Sequence, residues 1–211
     1  MRLQFTTITT IFTLFALMPL SYSQGFWQYP IKPGTEKWNS LTLQERRNCQ
    51  QIPEEILNQM TPQELFQAWL DLPGKYELLA FNTMQRGFDF TLNTFNIVQE
   101  LLDKPSVSSV ILDYYLNIDI NTINKKNNDE KSKFTTDIGF VEFLLSQLNI
   151  LNGIQEKEKI NLLKKIESNY QTKIAYGRFK YRYMGCGGAT PQPAETFFKF
   201  FKLRFLFLLI I

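Results

Sequence analysis

Thr61-Pro62-Gln63-Glu64-Leu65-Phe66-Gln67-Ala68-Trp69-Leu70-Asp71-Leu72-Pro73-Gly74 decides how this chain is read. Thr61 has a side-chain oxygen that can cap a helix. Pro62 lacks the N–H that a first helical position leaves unpaired, and Glu64 stands where its carboxylate reaches back to the Thr61 amide. Leu65, Phe66, Trp69, Leu70 and Leu72 then form an apolar face at helical spacing, and Pro73-Gly74 ends the run. The same signals recur upstream. Thr42 and Glu45 have the spacing of a capping box and open a helix to about Gln51. Pro53 followed by Glu54 and Glu55 suits the first turn of another, running to about Met60.

Downstream, Tyr76 to Gln85 reads as a short helix, and a bend at Gly87 leads into Phe88, Leu92, Phe95, Val98 and Leu102. Pro105 breaks that run. Ser106 is expected to cap a helix striped by Val107, Val110, Ile111 and Tyr114. Asn121 to Lys133 is polar with alternating charge and reads as a solvated, mobile linker. Ile138, Val141, Leu145 and Leu148 mark the next helix, closed near Asn152-Gly153, and Gln155 to about Ile174 the last. No alternating strand pattern appears in the body. The expected fold is all-α: an irregular antiparallel helical bundle, or a solenoid-like stack of short helices, over residues 40–176. Residues 24–39 form an irregular aromatic arm, with Phe26, Trp27, Tyr29 and Trp38 expected to dock on the core rather than hold a ligand.

Residues 1–23 read as an export signal. Arg2 supplies the positive end, Ile8 to Leu20 is apolar apart from three threonines, and Ser21 and Ser23 are the small residues before a cut after Ser23. Export places the mature chain in the periplasm, at the cell surface or outside the cell. The two cysteines, Cys49 and Cys186, then either close one long loop, constraining the unfolded chain by about 4 kcal/mol, or stay as two thiols.

The net charge of +3 is unevenly spread: residues 24–172 carry −4 and residues 173–211 carry +6. A basic tail beside an acidic body either meets an anionic surface or is merely solvated. The chain has no histidine, which removes Ser-His-Asp and Cys-His catalysis, histidine zinc sites and histidine pH switches. No cofactor or metal is expected. Glu54, Glu55 and Glu64 are the acids a hydrolase could use, although each stands at a helix start that already explains it. Gly185-Cys186-Gly187-Gly188 lacks the Lys-Ser/Thr of a phosphate loop and reads as a hinge. Arg178-Phe179-Lys180-Tyr181-Arg182-Tyr183 could stack bases but reads better as a strand or an irregular arm, so no nucleic-acid partner is expected.

Phe197, Phe198, Lys199, Phe200, Phe201, Lys202, Arg204 and Phe205 open a basic, aromatic stretch that runs to Ile211. As a helix it would span about 22 Å, short of the roughly 30 Å hydrocarbon core. It could lie in an anionic membrane interface, dock on the body, form an aggregation-prone edge, or be a truncated or frame-shifted end.

One resemblance covers about residues 38–176. It is carried by Cys49-Gln50-Gln51-Ile52-Pro53-Glu54-Glu55-Ile56-Leu57 running into Met60-Thr61-Pro62-Gln63-Glu64-Leu65. Ala80-Phe81-Asn82 with Gln85-Arg86-Gly87-Phe88, then Phe95-Asn96 with Glu100-Leu101-Leu102, continue it, and Phe140 to Leu151 fits more loosely. These stretches resemble a group of predicted secreted, helical proteins of the Bacteroides type. The resemblance implies export and a helical body, makes Cys49 a cysteine of the group, and brings no catalytic or binding residue. After Gly177 the chain departs from that pattern. The expected function is a protein-binding or scaffold module of the cell envelope. The alternatives are a peripheral membrane protein using the tail and a carboxylate-based secreted hydrolase.

Overall fold

The computed structural model describes residues 26–175. Among them there are helices and no strands, so the fold is all-α. The ten α-helices are α1 (Glu36–Ser40), α2 (Leu43–Asn48), α3 (Glu54–Leu57), α4 (Pro62–Asp71), α5 (Met84–Thr94), α6 (Asn96–Asp103), α7 (Val107–Asn117), α8 (Asn128–Leu145), α9 (Leu148–Asn152) and α10 (Glu156–Ala175). Two 3₁₀ helices, Pro73–Ala80 and Ile120–Lys125, join α4 to α5 and α7 to α8.

The two expected capping boxes form. In α2 and α4, Thr42 and Thr61 accept from the amides of Glu45 and Glu64, whose carboxylates accept in return from the threonine amides. Each box satisfies helix-end donors that would otherwise need water. In α4 the stripe Leu65, Phe66, Ala68, Trp69 and Leu70 is buried against α6 and α7. α8 lies on α7, α9 meets α6, α7 and α8, and α10 returns to α7 and the second 3₁₀ helix. These contacts between elements distant in sequence make a bundle. A solenoid stack would join only neighbours. Leu65, Ile97, Val98, Leu101, Val107, Ile111, Tyr115, Val141, Leu144 and Leu162, all fully buried, mark its centre.

The arm is partly regular: its last residues form α1, capped by Thr35, where an irregular stretch was expected. Tyr29 and Trp27 do dock on the core, their rings edge to face at 6.2 Å, and the buried Tyr29 hydroxyl donates to the Ala68 carbonyl at 3.1 Å. Phe26 stays exposed.

Several element boundaries differ from expectation: α2 closes at Asn48 rather than near Gln51, and the helix expected from Ile138 through Leu148 to Asn152 is broken at Ser146-Gln147 into α8 and α9. α3 closes at Leu57, three residues before Met60. The Tyr76–Gln85 helix is instead a 3₁₀ helix ending at Ala80, followed by a new start capped by Thr83. Gly87 makes no bend; it lies inside α5, where its bare Cα lets that helix settle on the Leu78 carbonyl. The break comes at Phe95, whose extended backbone directs its ring onto Gly74.

Ser106 makes no side-chain cap, and Tyr115 rather than Tyr114 enters the core from α7. The expected linker 121–133 is largely helical. Ile120 and Ile123 bury themselves in the 3₁₀ helix, and Asn127 with Glu130 forms a capping box that opens α8 at once.

One polar clamp ties the first helices to the bundle. Gln51 Nε2 donates to the Thr94 carbonyl at 2.8 Å, and Gln51 Oε1 accepts from the Asn96 amide at 3.1 Å. Asn96 answers with Nδ2 on the Ile52 carbonyl at 2.7 Å and Oδ1 on the Ile52 amide at 3.1 Å. Each side chain pairs with backbone as a neighbouring strand would, satisfying groups at two helix ends. Asn96→Ala strips Ile52 of both partners. The expected loss is about 2 kcal/mol, read as a lower urea midpoint at unchanged slope.

Candidate functional site

Lys75 stands out because a lysine side chain only 4% exposed needs an explanation. It follows the Pro73-Gly74 stop of α4, and that turn is held from two sides. The Gly74 amide donates to Gln50 Oε1 at 2.5 Å, and the Phe95 ring occupies the space a side chain at Gly74 would need. The turn carries Lys75 inward. Its ammonium donates to the Leu70 carbonyl, one of the acceptors the end of α4 leaves open, and to Asp137 Oδ1 at 2.8 Å. It also lies 5.3 Å from the centre of the Tyr76 ring and 6.0 Å from that of Phe140. Burial pulls the Lys75 ammonium below its ordinary value, and the attraction of Asp137 offsets only part of that.

Asp137, on α8, is the hinge of the arrangement. Its second oxygen, Oδ2, accepts from Lys133 one helical turn earlier at 2.5 Å. The Lys133 side chain is 63% exposed. Partial burial depresses its ammonium, but the hydrogen bond and charge of Asp137 more than compensate and leave it above its ordinary value. One carboxylate therefore bridges an inner, buried lysine and an outer, solvated one.

Two tyrosines complete the face. Tyr76 and Tyr114 are each 40% exposed. The Tyr76 ring is 5.6 Å from Phe140, and the Tyr114 ring meets Phe66 edge to face at 5.1 Å. Phe66 in turn stacks near Trp69 at 6.0 Å. Desolvation raises both phenols, and the charge of Asp137 adds to it, so both lie within its field. The result is a surface of two aromatic rings, held by buried aromatics, beside a carboxylate between two ammonium groups. Such a surface can grip a partner by stacking, hydrogen bonding and charge.

The acids expected at a hydrolytic site fall elsewhere. Glu54 and Glu55 are exposed at the start of α3, while Glu64 spends Oε2 on the Thr61 amide at 2.7 Å and hydroxyl at 2.8 Å. Burial pushes the Cys49 thiol up, away from a reactive thiolate, and it donates to the Arg46 carbonyl at 3.2 Å. Cys186, with which it either pairs or not, the glycine cluster, the Arg178–Tyr183 segment and the tail residues Phe197 to Phe205 lie outside the described residues, as does the export signal. A buried acid, Glu142, accepts from the Tyr115 hydroxyl at 2.8 Å inside the core.

Among the described residues no helix is long and apolar enough to cross a membrane, and no three acidic or cysteine side chains gather as a metal site. No family model, curated protein or solved structure matches the chain.

Sequence reasoning missed Lys75 and Asp137. It took Tyr114 for an apolar stripe position and Lys133 for the end of a loop. The i, i+4 spacing of Lys133 and Asp137 is visible once α8 is known, but Lys75 lies 62 residues before its carboxylate.

Proposed function

We propose that this protein is an exported, non-catalytic binding module of the cell envelope, and that Tyr76, Tyr114, Asp137 and Lys133 are its docking face. The observation that carries the reading is the pair of half-exposed tyrosines set on buried aromatic neighbours, with an ion pair fixed from beneath by Lys75. Binding energy at protein interfaces concentrates in aromatic side chains like these, because little rotamer freedom remains to be lost. The export signal, the likeness to secreted helical proteins and the local duties of Glu54, Glu55 and Glu64 support binding over hydrolysis.

The test is capture with the full chain from a detergent extract of the native envelope, beside a Tyr76→Ala/Tyr114→Ala variant with unchanged circular dichroism. The reading expects a partner held by the natural chain and lost from the variant. Equal capture by both, or capture by neither, overturns it.

The membrane reading rests on the basic aromatic tail alone. Reversing Lys199, Lys202 and Arg204 to glutamate in the full chain abolishes binding to anionic vesicles if that reading holds, and changes nothing if it does not.

A further inference from the structure

The docking face also suggests the chemistry of its partner, an inference that rests on the reading just given. We propose that the face receives a lysine-bearing, basic segment of a polypeptide partner, whose ammonium takes the place of Lys133 at the outer oxygen of Asp137, beside the Tyr76 and Tyr114 rings.

The two oxygens of Asp137 are held very differently. The inner one belongs to a lysine 4% exposed, and breaking a buried pair is costly because the abandoned charge stays in a low-dielectric setting. The outer one belongs to an i, i+4 pair whose lysine is 63% exposed. Such pairs are weak and screened by salt. The outer position is therefore the exchangeable one, and Lys133 already shows that an ammonium fits there at 2.5 Å.

Aromatic borders favour a cation, and the body around them carries −4 over residues 24–172. Asp71 also lies within electrostatic reach of Lys133 and deepens the negative field once that lysine swings away. An acidic segment would find the exposed Lys133 ammonium already neutralised by Asp137, with Asp71 adding to the negative field around it. Lysine suits the position better than arginine, because a guanidinium fork wants both carboxylate oxygens and only one is free to exchange.

The test titrates the full chain with an oligolysine peptide and with an oligoglutamate peptide of equal length, at low and at high salt. The natural chain is expected to bind only oligolysine, more weakly as salt rises. Lys133→Ala removes the internal competitor and tightens binding about twofold. Lys164→Ala, the same charge change on an exposed site of α10, leaves it unchanged. Tyr76→Ala/Tyr114→Ala weakens it about fivefold.

Equal binding of both peptides overturns the proposal. So does a Lys133→Ala variant that behaves like Lys164→Ala or binds less tightly. If envelope capture still depends on the tyrosines while oligolysine fails, the docking face stands and the basic partner falls. If capture fails as well, both fall.

Discussion

Asp137→Ala is expected to destabilise the protein by about 3–5 kcal/mol, a fall in Tm of roughly 10–15 °C for a domain of this size. The cause is the lysine left behind. Lys75 keeps the Leu70 carbonyl and two rings but loses the carboxylate hydrogen-bonded to it, leaving the charge of Asp71 to act on it alone. The companion variants have opposite expectations. Lys75→Met leaves Asp137 its pair with the exposed Lys133, so no charge is stranded alone, and the expected loss is smaller, about 1–2 kcal/mol, from the Leu70 carbonyl and the Asp137 oxygen that lose the ammonium. Lys75→Met/Asp137→Ala recovers most of what Asp137→Ala loses.

The pH dependence follows from the same burial. In the folded protein the Lys75 ammonium is already pulled below the ordinary 10.5, and without Asp137 it falls further. The unfolded chain then binds more protons than the folded one between the lowered folded value and the ordinary 10.5, so across that window the variant gains stability as pH rises. Chemical denaturation of Asp137→Ala at neutral and at alkaline pH should show the deficit shrinking. A deficit independent of pH would mean that the lost stability does not come from a stranded charge.

Gly87→Ala is the second large effect, with an expected loss of about 3 kcal/mol. In an exposed helix interior the change would gain about 1 kcal/mol. Here the added Cβ overlaps the Leu78 carbonyl oxygen and comes to 2.8 Å from the Leu78 Cα and carbonyl carbon. Those are backbone atoms, so no rotamer change relieves the contact. α5 must lift from the 3₁₀ helix that also presents Lys75 and Tyr76. The variant should therefore weaken capture at the docking face along with stability, whereas Asn96→Ala, at the start of α6 where it holds Ile52, should cost stability alone. A Gly87→Ala protein as stable as the natural chain would contradict the close approach.

The contrast between these residues shows what the sequence made legible. Thr42, Thr61 and the acids of α10 act within one turn of their own helix, so their roles can be read from four consecutive letters. The all-α class follows from such local signals repeated along the chain. What escaped were choices made by distant neighbours. Gly87 looks like a bend because its reason, Leu78, lies on another element. The helix break at Phe95 has no proline or glycine to announce it. It arises because Asn96 is claimed by Ile52 and the Phe95 ring by Gly74.

Asn127 and Glu130 did have capping-box spacing, but alternating charge around them masked a helix start. The docking face was least visible of all. Tyr76, Tyr114 and Asp137 come from three separate elements, and the lysine that pairs with Asp137 beside the Tyr76 ring is ordinary in sequence and unusual only once buried.

The most direct test is site-specific photo-crosslinking from position 114 of the full chain in living cells, with the same probe at the exposed Glu54 as control. The account predicts a discrete, saturable adduct with an envelope protein from position 114, weakened when Asp137 is changed to asparagine alongside Lys75→Met, and none from position 54. Adducts that form equally from both positions, or from neither, would contradict a docking face built on Tyr76, Tyr114 and Asp137.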